Sequence, residues 1–292
     1  MAENNVPQSI EAAEWAGQMG AKWLAHLDQF EGMIAGVGSA VIAEAKFKPG
    51  ERVIDIGCGG GATSMEIARI VGPNGSVTGL DISPALARHC ESRARKAGLS
   101  NTRFIAGDAA TTKIGDANFD RLFSRFGVMF FADSKAAFAH MHGFLKPGGG
   151  LNFACWGPPP ENTWMQEIAA VSQRILPAPP PMPPAPSEPG AMPGPFAFAD
   201  PDYVRGILQS AGFTDINIKP WRGHLHFGGR DGNPEEAARF IMEAMPMGAA
   251  LQDQPAEKQR QARAELTEAF ARHKGPSGLN LQGVCWFVSA RA

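Results

Sequence analysis

The most constraining feature of this chain is a short β-branched run that ends in clustered glycines: Arg52-Val53-Ile54-Asp55-Ile56-Gly57-Cys58-Gly59-Gly60-Gly61. The run reads as a buried strand. The glycines allow a tight turn and a close approach of ligand to backbone. Met65, Ile67, Ala68, Ile70 and Val71 then recur with the period of a helix. Strand, glycine loop and helix in that order open a βαβ unit, so the chain must supply a parallel partner strand.

That partner follows at once. Gly72-Pro73-Asn74-Gly75 is a turn, and Ser76 to Asp81 is a second strand that ends in an acid. Ser83-Pro84 provides an N-cap and a first helical residue for a helix to about Ala97, with Gly98 at its C-cap. Phe104-Ile105-Ala106 is a third strand, leading into Gly107-Asp108-Ala109. Asp120 to Ser124 is a fourth, a helix runs from about Ser134 to Leu145, and Leu151 to Trp156 is a fifth strand after Lys146-Pro147-Gly148-Gly149-Gly150. This alternation predicts a parallel sheet wrapped by helices. Right-handed crossovers then put ligands at the carboxyl ends of the strands.

Around this core (residues 49–156) lie segments of other character. Residues 1–48 read as a helical lid, with Trp15, Met19, Trp23, Leu27 and Phe30 at helical spacing and Met33, Ile34, Val37, Val41 and Ile42 continuing the stripe. Residues 157–200 are an insertion: a helix from Asn162 to Ile175, then Pro177 to Pro195, too rich in proline for helix or central strand and expected as a stiff connector. Residues 201–292 return to the core, with a helix capped by Asp200-Pro201, a strand-like run from Asp215 to Phe227 interrupted by Pro220, and a last strand from Gly283 to Ala290. Between them, at about 231–275, a helical insertion on the substrate side opens at Asn233-Pro234 and includes a helix over about Pro255 to Lys274.

Composition narrows the partners. The 292 residues are 44% apolar, enough for one large core. Lys and Arg number 27 against 29 Asp and Glu, so no basic field exists to hold nucleic acid. No run is long and apolar enough to span a membrane, and the N-terminus has no signal-like apolar region. Cys58, Cys90, Cys155 and Cys285 have neither the spacing of a metal site nor that of a disulfide framework. A cytoplasmic protein is expected, with no metal and no membrane insertion, and a homo-oligomer is compatible with the composition.

Taken alone, the glycine loop leaves two readings open. Gly57, Gly59 and Ala62 also satisfy the dinucleotide pattern G-x-G-x-x-A. Asp55, however, would repel a phosphate, whereas it is no obstacle to a ligand that carries a cationic sulfonium and an ammonium. Asp81 can take both hydroxyls of a ribose under either reading. Asp108, at the end of the third strand, can accept from an adenine amino group while a backbone N–H meets a ring nitrogen, an element foreign to the dinucleotide fingerprint. Each of these two aspartates also has an ordinary use as a cap.

Together the segments VIDIGCGGG, VTGLDIS, AGDA, FDRLFSRFGVMFF and LKPGGGLNFACW resemble the class I S-adenosylmethionine-dependent methyltransferases over about Arg52 to Trp156. The branch they resemble methylates small molecules and includes the ubiquinone and menaquinone C-methyltransferases. The resemblance implies an α/β, Rossmann-like, seven-stranded, mostly parallel sheet whose last strand is antiparallel, with a helical lid and insertions. It implies S-adenosyl-L-methionine (AdoMet) over the strand ends, near Asp55, Gly57, Cys58 and Gly59. It sets Asp81 on the ribose with Ile82 next to it, Asp108 and Ala109 near adenine, and Ser124 and Arg125 beside the amino acid end.

The chemistry so implied is an in-line methyl transfer to the carbon or oxygen of a small, fairly apolar acceptor. The catechol branch keeps acidic metal ligands after the fourth strand, where this chain has Ser124-Arg125-Phe126, and the N-P-P-aromatic loop of amino-methylating relatives is missing. Trp23, Phe126 and Trp164 are the candidate acceptor contacts. His224 and His226, which alternate along a strand and share a face, are the candidate bases; His26 is a further one. Two competitors stand beside this reading. An NAD(P)-dependent oxidoreductase would need a Tyr-x-x-x-Lys pair or similar proton donor, which the sequence does not offer. A protein that binds AdoMet without catalysis would keep the same glycine loop.

Overall fold

The computed structural model describes residues 13–115, 117–176, 193–229, 232–276 and 278–292. Most of the proline-rich connector therefore lies outside the described residues, as do the first twelve residues of the expected lid.

Seven strands form the main sheet: β1 (Arg52–Ile56), β2 (Ser76–Asp81), β3 (Thr102–Ala106), β4 (Phe119–Arg125), β5 (Leu145–Trp156), β6 (Thr214–Leu225) and β7 (Leu281–Arg291). Their order is β3-β2-β1-β4-β5-β7-β6. β1 pairs in parallel with β2 and β4, with Val53 opposite Val77 and Ile54 opposite Leu122. β7 runs antiparallel to both β5 and β6, so the final strand alone is reversed in this sheet. This is the architecture the resemblance implies. Val53, Ile54, Leu80, Leu122, Phe123, Phe153 and Ala154 are buried, which accounts for the near-continuous apolar runs in the central strands.

Two strands differ from the sequence expectation. β5 begins at Leu145, not Leu151, and its register against β4 jumps between Phe119↔Leu145 and Arg121↔Gly150. The proline- and glycine-rich stretch is thus a bulge within a strand rather than the loop before it. β6 runs unbroken through Pro220, which lies opposite Trp286. An outermost strand tolerates the missing N–H.

The N-terminal stripe is helical but not one helix. A wide turn at Trp15–Met19 precedes α1 (Gly20–Ala25), α2 (Leu27–Met33) and α3 (Ala35–Ala45), with breaks at His26 (φ −115°, ψ 28°) and Ile34 (φ −106°, ψ 12°). The core helices α4 (Ala62–Val71) and α5 (Pro84–Lys96) follow β1 and β2, and the Ser83 hydroxyl caps α5 at Leu86 N–H. α6 (Ser134–His142) precedes β5 and packs on α8 (Pro201–Ser210).

A helical cap stands beside the sheet: α7 (Thr163–Ile175), α9 (Pro234–Ala244), α10 (Pro246–Leu251) and α11 (Ala256–Ala271). α9 packs on α11, which packs on α7. Glu167 of α7 binds Arg272 at 3.0 Å and His273 at 2.7 Å, just past the end of α11. α10 and the small ribbon of Lys274–Gly275 with Gly278–Leu279 are not anticipated by the sequence reading.

Candidate cofactor crevice and acceptor side

The glycine loop takes left-handed backbone at Gly57 (φ 63°) and Gly59 (φ 54°). At Gly57 a side chain is excluded by contact as well, because a Cβ there would lie 2.6 Å from Gly127 Cα. The Gly59 N–H donates to Asp81 Oδ2 at 2.8 Å, and the Ser83 N–H donates to Asp81 Oδ1 at 2.9 Å. Asp81 therefore ties the loop after β1 to the start of α5. Burial raises its carboxyl above the usual range, opposed by those two N–H groups.

Asp55 lies behind the loop and is fully buried. Its Oδ2 accepts from Thr63 Oγ1 at 2.9 Å and Ser64 Oγ at 2.6 Å, both in the first turn of α4. Its Oδ1 is buried without any donor. Burial pushes this carboxyl up to about 6, against the pull of the Ser64 and Thr63 hydroxyls and of Arg125.

The other expected cofactor residues have varied surroundings. Cys58 is buried beside Cys90, and that neighbour together with burial holds its thiol well above the ordinary value, so it packs as a neutral group. Cys90 Sγ in turn donates to Gly59 O at 3.0 Å. Ile82 is half-buried between Asp81 and Ser83, and Ala109 is buried. Asp108 is half-buried and accepts the Ala110 N–H at 2.8 Å. Ser124, fully buried, donates to Ile56 O at 2.8 Å and accepts from Gly127 N–H at 3.1 Å, bracing β1 against the turn after β4.

Arg125 is half-buried and lies along α3, where the missing side chain of Gly38 makes room: a Cβ there would be 2.9 Å from Nη1. With Asp28, Glu31, Thr63 and Glu66 it lines a cavity of about 310 Å³. A larger cavity, about 500 Å³, opens at the amino ends of β4 and β5. Two ion pairs line it, Arg121 with Glu51 and Lys146 with Asp120. It lies at the sheet end opposite Asp81 and Asp108.

The N-terminal helices cover the glycine loop. Leu27 and Glu31 crowd Gly60, and Glu31 binds Arg93 of α5 at 2.7 Å while Arg93 Nη1 also donates to Gly60 O at 2.9 Å. Trp23 Nε1 would be 3.5 Å from a Cβ on Gly59, and this indole N–H is buried without an acceptor. Trp23, expected on the acceptor side, thus stands over the loop itself.

The acceptor side is aromatic. Phe126, the residue after β4, has left-handed backbone (φ 62°) and stacks on Trp156 at 4.3 Å and 13°. Trp164 lies 5.2 Å from Trp156 and 5.9 Å from Phe227. Phe227 leads on to Phe240 and Phe30, and Phe30 stacks on Trp23 at 4.0 Å. A file of rings thus joins the β4 turn to the glycine loop. Phe227, just past the end of β6, and Phe240, on the buried face of α9, are members of this file that the candidate contacts do not include. Asn162, fully buried, pins the start of α7: Oδ1 accepts from Val284 N–H at 2.9 Å and Trp164 Nε1 at 3.3 Å, and Nδ2 donates to Pro158 O at 3.0 Å.

His224 and His226 are both exposed, on either side of the buried Leu225. They share a face, as their alternation requires, but that face is turned to solvent and does not bring them together with the crevice residues. His224 pairs with Gln282 in the β6–β7 ladder, and the His226 backbone N–H donates to Met33 O at 3.2 Å. His26 is half-buried, with its ring 6.3 Å from that of Phe240. Among the described residues, no group of three or more His, Cys, Asp or Glu is placed to hold a metal ion, and no helix is long and apolar enough to cross a membrane.

Residues 47–168 match the family model described as methyltransferase domain. The chain is 30% identical over 175 residues to the nocamycin O-methyltransferase of Saccharothrix syringae, covering 58% of this chain and 61% of that protein. It is 26% identical over 185 residues to the demethylmenaquinone methyltransferase of Staphylococcus carnosus, covering 63% and 76%. The chain thus spans less than two thirds of the nocamycin enzyme. In fold it is similar to the Haemonchus contortus phosphoethanolamine N-methyltransferase 2 solved with S-adenosyl-L-methionine, at a TM-score of 0.57 and 16% identity, over 98% of this chain and 60% of that one.

Proposed function

We propose that this chain, whose residues 47–168 form a methyltransferase domain, transfers the methyl group of AdoMet to carbon or oxygen of a small, fairly apolar acceptor. The observation that supports this most is Asp55 Oδ1, a fully buried acceptor without a donor, directly behind the glycine loop. A buried carboxylate oxygen needs a partner, and an incoming ammonium supplies one, directly or through water. A dinucleotide would bring a pyrophosphate to the same loop and leave that oxygen facing like charge.

The remaining residues fit the rest of the cofactor. Each Asp81 oxygen holds one backbone N–H and keeps capacity for a ribose hydroxyl. Asp108 and Ala109 are available to adenine, and Arg125, beside Asp55 and Thr63, to the carboxylate of the amino acid end. What the cofactor contributes is a methyl group already activated by a positive sulfur. The protein's tasks are to align the acceptor, exclude water and take up a proton where the acceptor releases one. Phe126 and Trp156 provide a flat apolar wall at the β4 turn for that alignment.

The acceptor is a free small molecule rather than nucleic acid, a reading supported by the net charge of −2. The cytoplasm suits the four cysteines, which are free thiols and all buried. Incubation with methyl-labelled AdoMet and a metabolite extract tests the proposal. Label in a small apolar product is expected. Label confined to protein or nucleic acid, or stabilisation by NADH and not by AdoMet in a melting assay, would overturn it.

A further inference from the structure

We infer that Trp23 is a cofactor-binding residue: its indole N–H donates to a ribose hydroxyl oxygen of the nucleoside held by Asp81. The inference rests on the AdoMet reading above and adds to it a contact from outside the domain's glycine loop and strand ends.

The argument starts from two unpartnered atoms. Trp23 Nε1 and Asp55 Oδ1 are the buried side-chain polar atoms without a partner among the described residues, and both adjoin the glycine loop. An indole N–H can only donate, so the partner that the chain itself does not supply is an oxygen or nitrogen acceptor. Position selects which. Trp23 Nε1 stands over Gly59, whose own N–H runs to Asp81 Oδ2. One helical turn earlier, Gly20 abuts Ser83 so closely that a Cβ would lie 2.6 Å from Ser83 Oγ, and the Ser83 N–H runs to the other Asp81 oxygen. α1 therefore runs past both residues whose N–H groups hold the Asp81 carboxylate, with Gly20 at Ser83 and Trp23 at Gly59.

The chemistry is complementary. Ribose hydroxyls that donate to Asp81 keep lone pairs free on their oxygens, which match a single N–H donor from the opposite side. The indole is rigidly held for this role. It stacks on Phe30 at 4.0 Å and 7°, and Trp15 braces it at 6.0 Å. The Glu31–Arg93 pair, anchored on Gly60 O, fixes α2 and so the register of the whole cover.

The test is isothermal titration of the full chain and of W23F with S-adenosylhomocysteine and with methylthioadenosine, which keeps the ribose but lacks the amino acid. Phe keeps an aromatic ring against Phe30 while it loses the donor and part of the indole's volume. W23F is expected to bind both ligands about 3- to 10-fold more weakly, the range of one neutral hydrogen bond. Its ligand-free melting temperature is expected to fall modestly from the lost ring volume, with the chain still folded at the temperature of the titration. Unchanged affinity for methylthioadenosine, or a loss confined to S-adenosylhomocysteine, would overturn the role of Trp23. Failure of the unmodified chain to bind either ligand would instead refute the AdoMet reading itself.

Discussion

Asp81 Oδ2 receives the Gly59 N–H at 2.8 Å, so the acid that ends β2 also sets the turn that follows β1. One carboxylate thereby does two jobs, and its removal separates them. In D81A both the Gly59 and the Ser83 N–H lose their acceptor. A stability loss of about 1–3 kcal/mol is expected in urea unfolding. AdoMet affinity is expected to fall at least about 100-fold in calorimetry, since ribose contact and loop geometry go together. An unchanged dissociation constant would mean that the nucleoside lies elsewhere.

Asp55 makes cofactor binding depend on pH. Its carboxyl titrates at about 6 in the folded chain, raised from 3.8 by burial. Only the ionised form attracts an ammonium. AdoMet affinity should therefore rise with pH through about 6 and level off above it, and D55N should flatten that profile. The stability of the ligand-free chain should show the opposite sign. The folded value is raised, so the contribution of Asp55 is full below 3.8 and is lost as pH rises through about 6. Calorimetry and denaturant titration across that window check both halves.

Phe126 combines an unfavourable backbone with a favourable stack. F126A keeps the left-handed backbone and loses the ring, so about 3 kcal/mol of stability should go. F126G loses the ring and relieves the backbone, and should be the more stable of the two by about 1 kcal/mol. Equal stability of the two variants in denaturant titration would show that the φ of 62° carries no strain.

Asn162 is a structural pin whose effect can be read at a distance. N162L leaves the buried Val284 N–H and the Trp164 indole without their acceptor. A loss of about 3 kcal/mol is expected. The Val284 amide should exchange with solvent markedly faster in N162L; an exchange rate like that of the unmodified chain would rule out the pinning role.

The core was legible because each local signal agreed with the next. Ser76 to Asp81 as a strand, Ser83 as a cap and Asp55, Asp81 and Asp108 as neighbours at one end of the sheet all follow from spacing and turn chemistry. The site above that core was legible only in part. The breaks at His26 and Ile34 fall inside a continuous apolar stripe, so periodicity alone does not report them. The file of rings is assembled from Phe30, Phe126, Trp164, Phe227 and Phe240, residues far apart in sequence that only tertiary packing brings together. His224 and His226 share a face as alternation requires, but which face is set by Leu225 and Phe227 turning inward.

Pro220 has a consequence for assembly. It sits mid-way along the outermost strand, flanked by Lys219 and Arg222, which are held by Glu44 and Glu161. A margin that lacks an amide and carries fixed charge is a poor template for another molecule's backbone. Copies of this chain that associate are therefore not expected to join their sheets through β6.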